Sequence, residues 1–144
     1  MSEMPQKGSV VKSKESILGY TEYTLSNGAK VYHKETDFNA DQILFTAYSK
    51  GGLSLYDEVE ALNLKVTSEV MNVGGLGNFS STDLTKVLAG KKVSVSMAVN
   101  TFSESLSGRA TPKDFETLMQ LIYLSFTSLR SDEDAFKSWQ NKTS

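Results

Sequence analysis

The chain has 144 residues, enough for one compact domain that buries about two-thirds of its unfolded surface. Its net charge of −2, with lysines spread along the sequence, leaves no basic face of the kind that neutralises nucleic-acid phosphates, so nucleic acid is not an expected partner. The absence of cysteine excludes a disulfide, a thiolate nucleophile and a Cys-based metal site, and the start MSEMPQKGSVVKSKES has no continuous apolar run to make a signal peptide or a membrane span.

Residues 1–17 are polar and unpatterned and read as a flexible leader or interdomain linker, which puts the ordered domain at 18–144. Residues 22–25 and 30–34 are rich in Tyr, Thr and Val, and the Asn27-Gly28 pair between them predicts a tight β-hairpin. Asp37, Asn39 and Asp41 mark a loop. Residues 42–49 are apolar on both faces, with Ile43, Phe45 and Ala47 against Leu44 and Tyr48, which predicts a central strand. Gly51 and Gly52 break it.

Val59, Leu62, Val66, Val70 and Val73 then recur at steps of three and four, an apolar stripe along a helix of about four turns. Gly74 and Gly75 stop that helix, because a residue with positive φ is needed just past the last turn. Ser80 or Ser81 caps a second helix, Asp83 suits the positive end of its dipole, and Leu84, Val87 and Leu88 form its apolar side. Residues 93–99 alternate Val93, Val95, Met97 and Val99 with small polar residues and predict a strand. Residues 103–110 return antiparallel to it with Leu106, Gly108 and Ala110 inward. Thr111 and Pro112 open a helix whose Phe115, Leu118, Met119, Leu121, Ile122, Leu124 and Phe126 make it the most buried element expected. Ser131 and residues 132–134 open a last helix with Phe136 and Trp139. Three strands, two helices, two strands and two helices, joined by short turns, give an α+β fold with a largely antiparallel sheet and helices packed on one face.

The helix ending in VGG, the Gly-rich loop with Phe79, the short helix closing in LAGK and the alternating strand after it resemble the insulinase/pitrilysin family of zinc peptidases. The segments TLSNGAKVYHKETDF, QILFTAYSKGGLSLY and SGRATPKDFETLMQLIYLSFTSLRSDEDAF resemble the opening of the C-terminal half of bacterial members, so the likeness runs from Gly19 onward. It implies the α+β sandwich of insulinase-type domains. The family's full domain continues past Ser144, so 18–144 is expected to be the first part of such a repeat, truncated, with self-association of the fragment through the surface left uncovered.

In the family's catalytic domain the corresponding helix carries H-x-x-E-H, two imidazoles one turn apart that hold zinc and a Glu that activates water. Aligned on the glycines that end the helix, those three positions hold Lys65, Ser68 and Glu69 here. An ammonium repels the ion, Ser is a poor ligand, and one carboxylate alone leaves the site open. The resemblance therefore implies a non-catalytic, structural and substrate-enclosing domain with no cofactor of its own and zinc in the catalytic domain of a parent protein. Its implied partners are the other domains of the same polypeptide and a peptide substrate, and its implied compartment is the periplasm or cell envelope. The competing reading is a stand-alone binding or assembly module acting through a sheet edge or helix face.

Other features have ordinary explanations. His33 is the single histidine, and a metal site with Asp37, Asp41 or Glu69 is less expected than a solvated side chain at a strand end. The run Gly74-Gly75-Leu76-Gly77 follows a helix, whereas phosphate-cradling loops follow a strand and open a helix. Ser94, Ser96, Ser103, Ser105 and Ser107 form a hydroxyl-rich strand face that reads as a solvated sheet surface or as the lining of a wet, peptide-holding cavity. With one histidine no Ser-His-Asp set can be assembled, and Glu58 and Glu60 point to different sides of their helix.

Overall fold

The computed structural model describes residues 8–143, and the side chains at 59, 62, 65, 66, 68 and 72 lie outside the description. The chain divides into two units, residues 1–40 and 41–144.

The first unit is an antiparallel sheet in the order β1-β2-β3, built from β1 (Val10–Glu15), β2 (Thr21–Leu25) and β3 (Lys30–His33). The Asn27-Gly28 hairpin forms as its chemistry predicts: Gly28 has φ +85°, the Asn27 side chain accepts from Ala29 N at 3.0 Å, and Leu25 N donates to Ala29 O at 2.8 Å. Strand β1 corrects the reading of 1–17 as patternless: residues 10–15 pair with β2 from Val10↔Leu25 to Glu15↔Thr21, while residues 1–7 lie outside the described residues. Every residue of β1 is exposed, so no buried face imposes an alternation on its sequence. The strand is held by backbone pairing and by a turn in which Ser16 N donates to Tyr20 O at 2.8 Å. On the other side of β2, side chains tie β3 in, through Lys30 on Glu22 at 2.9 Å and Tyr20 edge-on to Tyr32 at 5.7 Å.

The second unit has an antiparallel sheet in the order β4-β6-β5, from β4 (Ile43–Lys50), β5 (Val93–Val99) and β6 (Ser103–Ala110), with helices α1 (Glu58–Gly74), α2 (Ser81–Val87), α3 (Phe115–Thr127) and α4 (Glu133–Thr143). Helices α1 and α3 pack on β5, and α3 also on β6, while α4 packs on α1. The core lies where α3 meets the sheet: Leu118 is 0 % exposed, and Leu106, Ala110 and Leu121 are buried around it. Burying a Leu in this way contributes about 1.5–3 kcal/mol. Gly108 makes the approach possible, because a Cβ there would stand 2.6 Å from Leu118 Cδ1.

Three expectations change. Strand β4 is an edge and β6 the centre. Leu44 and Tyr48, 68 % and 65 % exposed, are the second apolar face of β4, and nothing among the described residues of this unit covers them. On α3, Phe115 and Phe126 point outward, and the helix buries Leu118, Leu121 and Ser125 instead, a stripe at steps of three and four. Thr111 does precede Pro112, but a short 3-10 turn (Pro112–Asp114) intervenes before α3, and the Thr111 hydroxyl donates to Asp114 Oδ2 at 2.9 Å rather than capping a backbone N–H. Of the predicted α1 stripe, Val70 and Val73 are half-buried, while Val59, Leu62 and Val66 fall on side chains outside the described residues.

Candidate functional site

Helix α1 starts where Asp57 Oδ1 accepts Glu60 N at 2.9 Å, satisfying one of the free donors of its first turn. Its steps bring positions 65, 68 and 69 to one side. The side chains of Lys65 and Ser68 lie outside the described residues. Glu69 is exposed, and its Oε2 accepts the indole N–H of Trp139 at 3.2 Å, a tie from α1 to α4 that reading the sequence did not reveal. Trp139 in turn stacks on Phe136, with centroids 5.8 Å apart at 20°. The carboxylate at the last of the three positions therefore serves as an anchor for α4.

His33 ends β3 opposite Thr21 and is exposed, as is Asp37, while Asp41 and Glu69 belong to the other unit. Among the described residues no three His, Cys, Asp or Glu side chains come together in a group that could hold a metal ion.

The glycine run closes α1 and then lets another segment pass. Gly75 has φ +92°, and a Cβ on Gly74 would meet the Arg130 carbonyl. Leu76 bridges both Phe79 and Leu129, Leu76 N donates to Phe79 O at 3.0 Å and Gly77 N to Ser128 O at 2.7 Å. The loop's amides are thus used within the chain, where a phosphate-cradling loop would aim them at a ligand. Arg130 lies 3.3 Å from Asp132, whose Oδ1 accepts Ala135 N at 3.0 Å at the start of α4; that backbone bond comes first and the guanidinium second in holding the Asp132 carboxyl below its ordinary range.

The sheet face away from the helices is built in rows by the strand register. Leu44, Arg109 and Ser94 lie side by side, then Thr46, Ser107 and Ser96, then Tyr48, Ser105 and Ala98. The predicted serines, Ser103 included, share this face, and Ser94, Ser96 and Ser107 are exposed. Hydroxyls both donate and accept, which is what an extended backbone requires of a polar surface.

No profile of a known protein family matches the chain. It is 33% identical over 129 residues to a zinc protease PQQL-like protein of Arabidopsis thaliana, across 89% of this chain and 11% of the plant protein. It is 24% identical over 122 residues to a probable zinc protease PqqL of Haemophilus influenzae, across 85% of this chain and 13% of that protein. The fold superposes on the periplasmic protease PqqL from Escherichia coli with TM-score 0.86 and 22% identity, over 97% of this chain and 16% of that one. On a mutant of the ferredoxin protease FusC in complex with Arabidopsis ferredoxin, the TM-score is 0.83 at 21% identity, over 94% of this chain and 15% of that one. The chain spans roughly an eighth of the length of the curated relatives it matches. The α+β architecture, the motifs around VGG and LAGK and these likenesses agree that the chain belongs to the insulinase/pitrilysin-type zinc peptidases, matching a domain-sized stretch of its relatives.

Proposed function

We propose that this chain is a non-catalytic domain of a zinc peptidase, one that supports and helps enclose the substrate chamber while the zinc chemistry resides in another domain of the parent. The observation that carries this is the occupancy of the metal-motif positions on α1. Lys65 brings a cation and Ser68 a weak ligand, and the Glu69 carboxylate is taken by Trp139. The donor set does not suit zinc, and no metal-assisted step can be derived from these residues. The exposed hydroxyl rows of the β4-β6-β5 sheet are the surface offered to peptide. The periplasmic setting of the Escherichia coli protease supports an envelope location for the parent.

The test is zinc content and peptidase activity of the purified chain, alone and mixed with the H-x-x-E-H domain of its parent. The chain alone is expected to retain no stoichiometric zinc through dialysis and to cleave no peptide, and the mixture to regain cleavage. Stoichiometric zinc that disappears in Glu69→Ala or His33→Ala, or zinc-dependent cleavage by the chain alone, overturns the reading.

A further inference from the structure

At one corner of the open sheet face lies a cavity of about 290 Å³ lined by Asp41, Lys91, Lys92, Ser94, Arg109 and Thr111. Arg109 stands opposite Ser94 in the ladder, and Lys92 precedes Ser94 by two residues, so the two cations are diagonal neighbours on the same face. The backbone of Lys92 is fixed from both sides. Its N–H donates to Asp114 Oδ2 at 2.9 Å and its carbonyl accepts Thr111 N at 3.2 Å, extending the β5–β6 ladder by one rung. Asp114 is buried, and its Oδ2 also accepts the Thr111 hydroxyl, so this acid is committed to the fold. Lys91 turns the other way, onto Thr117 Oγ1 at 3.0 Å. Lys92 and Arg109 are exposed, and neither has a carboxylate within ion-pair distance among the described residues. With Lys91 engaged on Thr117, the charges left at the cavity among the described residues are Lys92 and Arg109 against one acid, Asp41.

We propose that Lys92 and Arg109 form a carboxylate-binding corner that anchors an extended peptide lying across the hydroxyl rows, either by its C-terminal carboxylate or by an acidic side chain. A guanidinium matches a carboxylate's two oxygens with a planar fork, and the neighbouring ammonium adds a point charge. Beyond the corner, Ser107, Ser96 and Thr46 supply donors and acceptors, and the exposed Leu44 flanks Arg109 with apolar surface. This deepens the peptide-lining role proposed above and rests on it.

Fluorescence anisotropy of the full 144-residue chain with three labelled, otherwise neutral octapeptides tests it: one with a free C-terminus, one C-terminally amidated, and one amidated with an internal Glu. The free acid, or the Glu peptide, is expected to bind about tenfold more tightly than the neutral amide, the scale of a charge-assisted pair. Which of the two gains identifies the source of the carboxylate. Arg109→Gln and Lys92→Gln are each expected to remove most of that gain, with Arg109→Lys restoring part of it and Lys142→Gln on α4 changing nothing. Equal binding of all three peptides, unchanged in Arg109→Gln, overturns the corner and leaves the peptide-lining role standing. No peptide binding at all overturns both. Displacement by inorganic phosphate as effective as by unlabelled acid peptide overturns the peptide assignment in favour of a general anion patch.

Discussion

The two three-stranded sheets of this chain are built alike and stabilised differently. Both are antiparallel and both have glycines with positive φ beside their strands, Gly28 between β2 and β3 in the first and Gly51 just after β4 in the second. Yet β1-β2-β3 contains no fully buried side chain, while β4-β6-β5 has Leu106 and Ala110 sealed under Leu118 and Leu121. Strand pairing and turn chemistry suffice to specify the first. The second needs shape, since Gly108 must leave room for Leu118. The lesson is that register and packing are separable: one sheet is fixed by its ladder, the other by what presses on it.

Mutations can break that contrast. Leu118→Ala is expected to cost about 2–5 kcal/mol, because a fully enclosed side chain leaves a cavity the sheet cannot close. Urea unfolding measures it, and a loss near zero would put both sheets in the same class. Gly108→Val should cost about 1–3 kcal/mol by pushing Leu118 off the sheet, and Leu118→Ala in the same chain should recover part of that loss, a coupling that a double-mutant cycle reads directly.

Acid should act on the second unit. Asp114 is held below the ordinary carboxylate range chiefly by the Lys92 N–H and then by the Thr111 hydroxyl, and Asp83 chiefly by the Ser80 hydroxyl at 2.7 Å. Folded-state values below the unfolded ones mean that these groups add stability above the unfolded pKa, near 3.9, and lose it as pH falls through the depressed values. Asp114→Asn is therefore expected to flatten the fall in stability below about pH 4, measured by denaturant midpoints across that range. The smallest effect belongs to the first sheet. Val31→Ala, at an exposed position of β3, should stay within about 0.5 kcal/mol, and a larger loss would show that this sheet too depends on packing.

Much of this was legible from residues alone. Asn27-Gly28, the alternation of Val93 with Ser94 through Val99, and the glycines after Val73 each carry a local mechanism, and each element stands where that mechanism puts it. What escaped was whatever depends on distant neighbours. Strand β1 has no face to bury and so no pattern to find. The two-faced β4 is also consistent with a centre, and only pairing shows it to be an edge. Gly74 looked like a stop signal, while the nearness of the Arg130 carbonyl comes from a segment far along the chain. Lys65, Ser68 and Glu69 could be named from the resemblance, but the use of Glu69 as an acceptor for Trp139 could not. Lys92 and Arg109 become neighbours only once the β5–β6 register is known.

The bond between Trp139 and Glu69 also gives the chain a built-in reporter. Trp139 is the single tryptophan, its indole donates to α1 from α4, and it is stacked on Phe136. Any motion that lifts α4 from α1 must change the polarity and the hydrogen bonding around one fluorophore. The intrinsic emission of the unlabelled protein therefore reads out the docking of its last helix, and Glu69→Gln against Glu69→Leu separates the loss of charge from the loss of the acceptor in that signal.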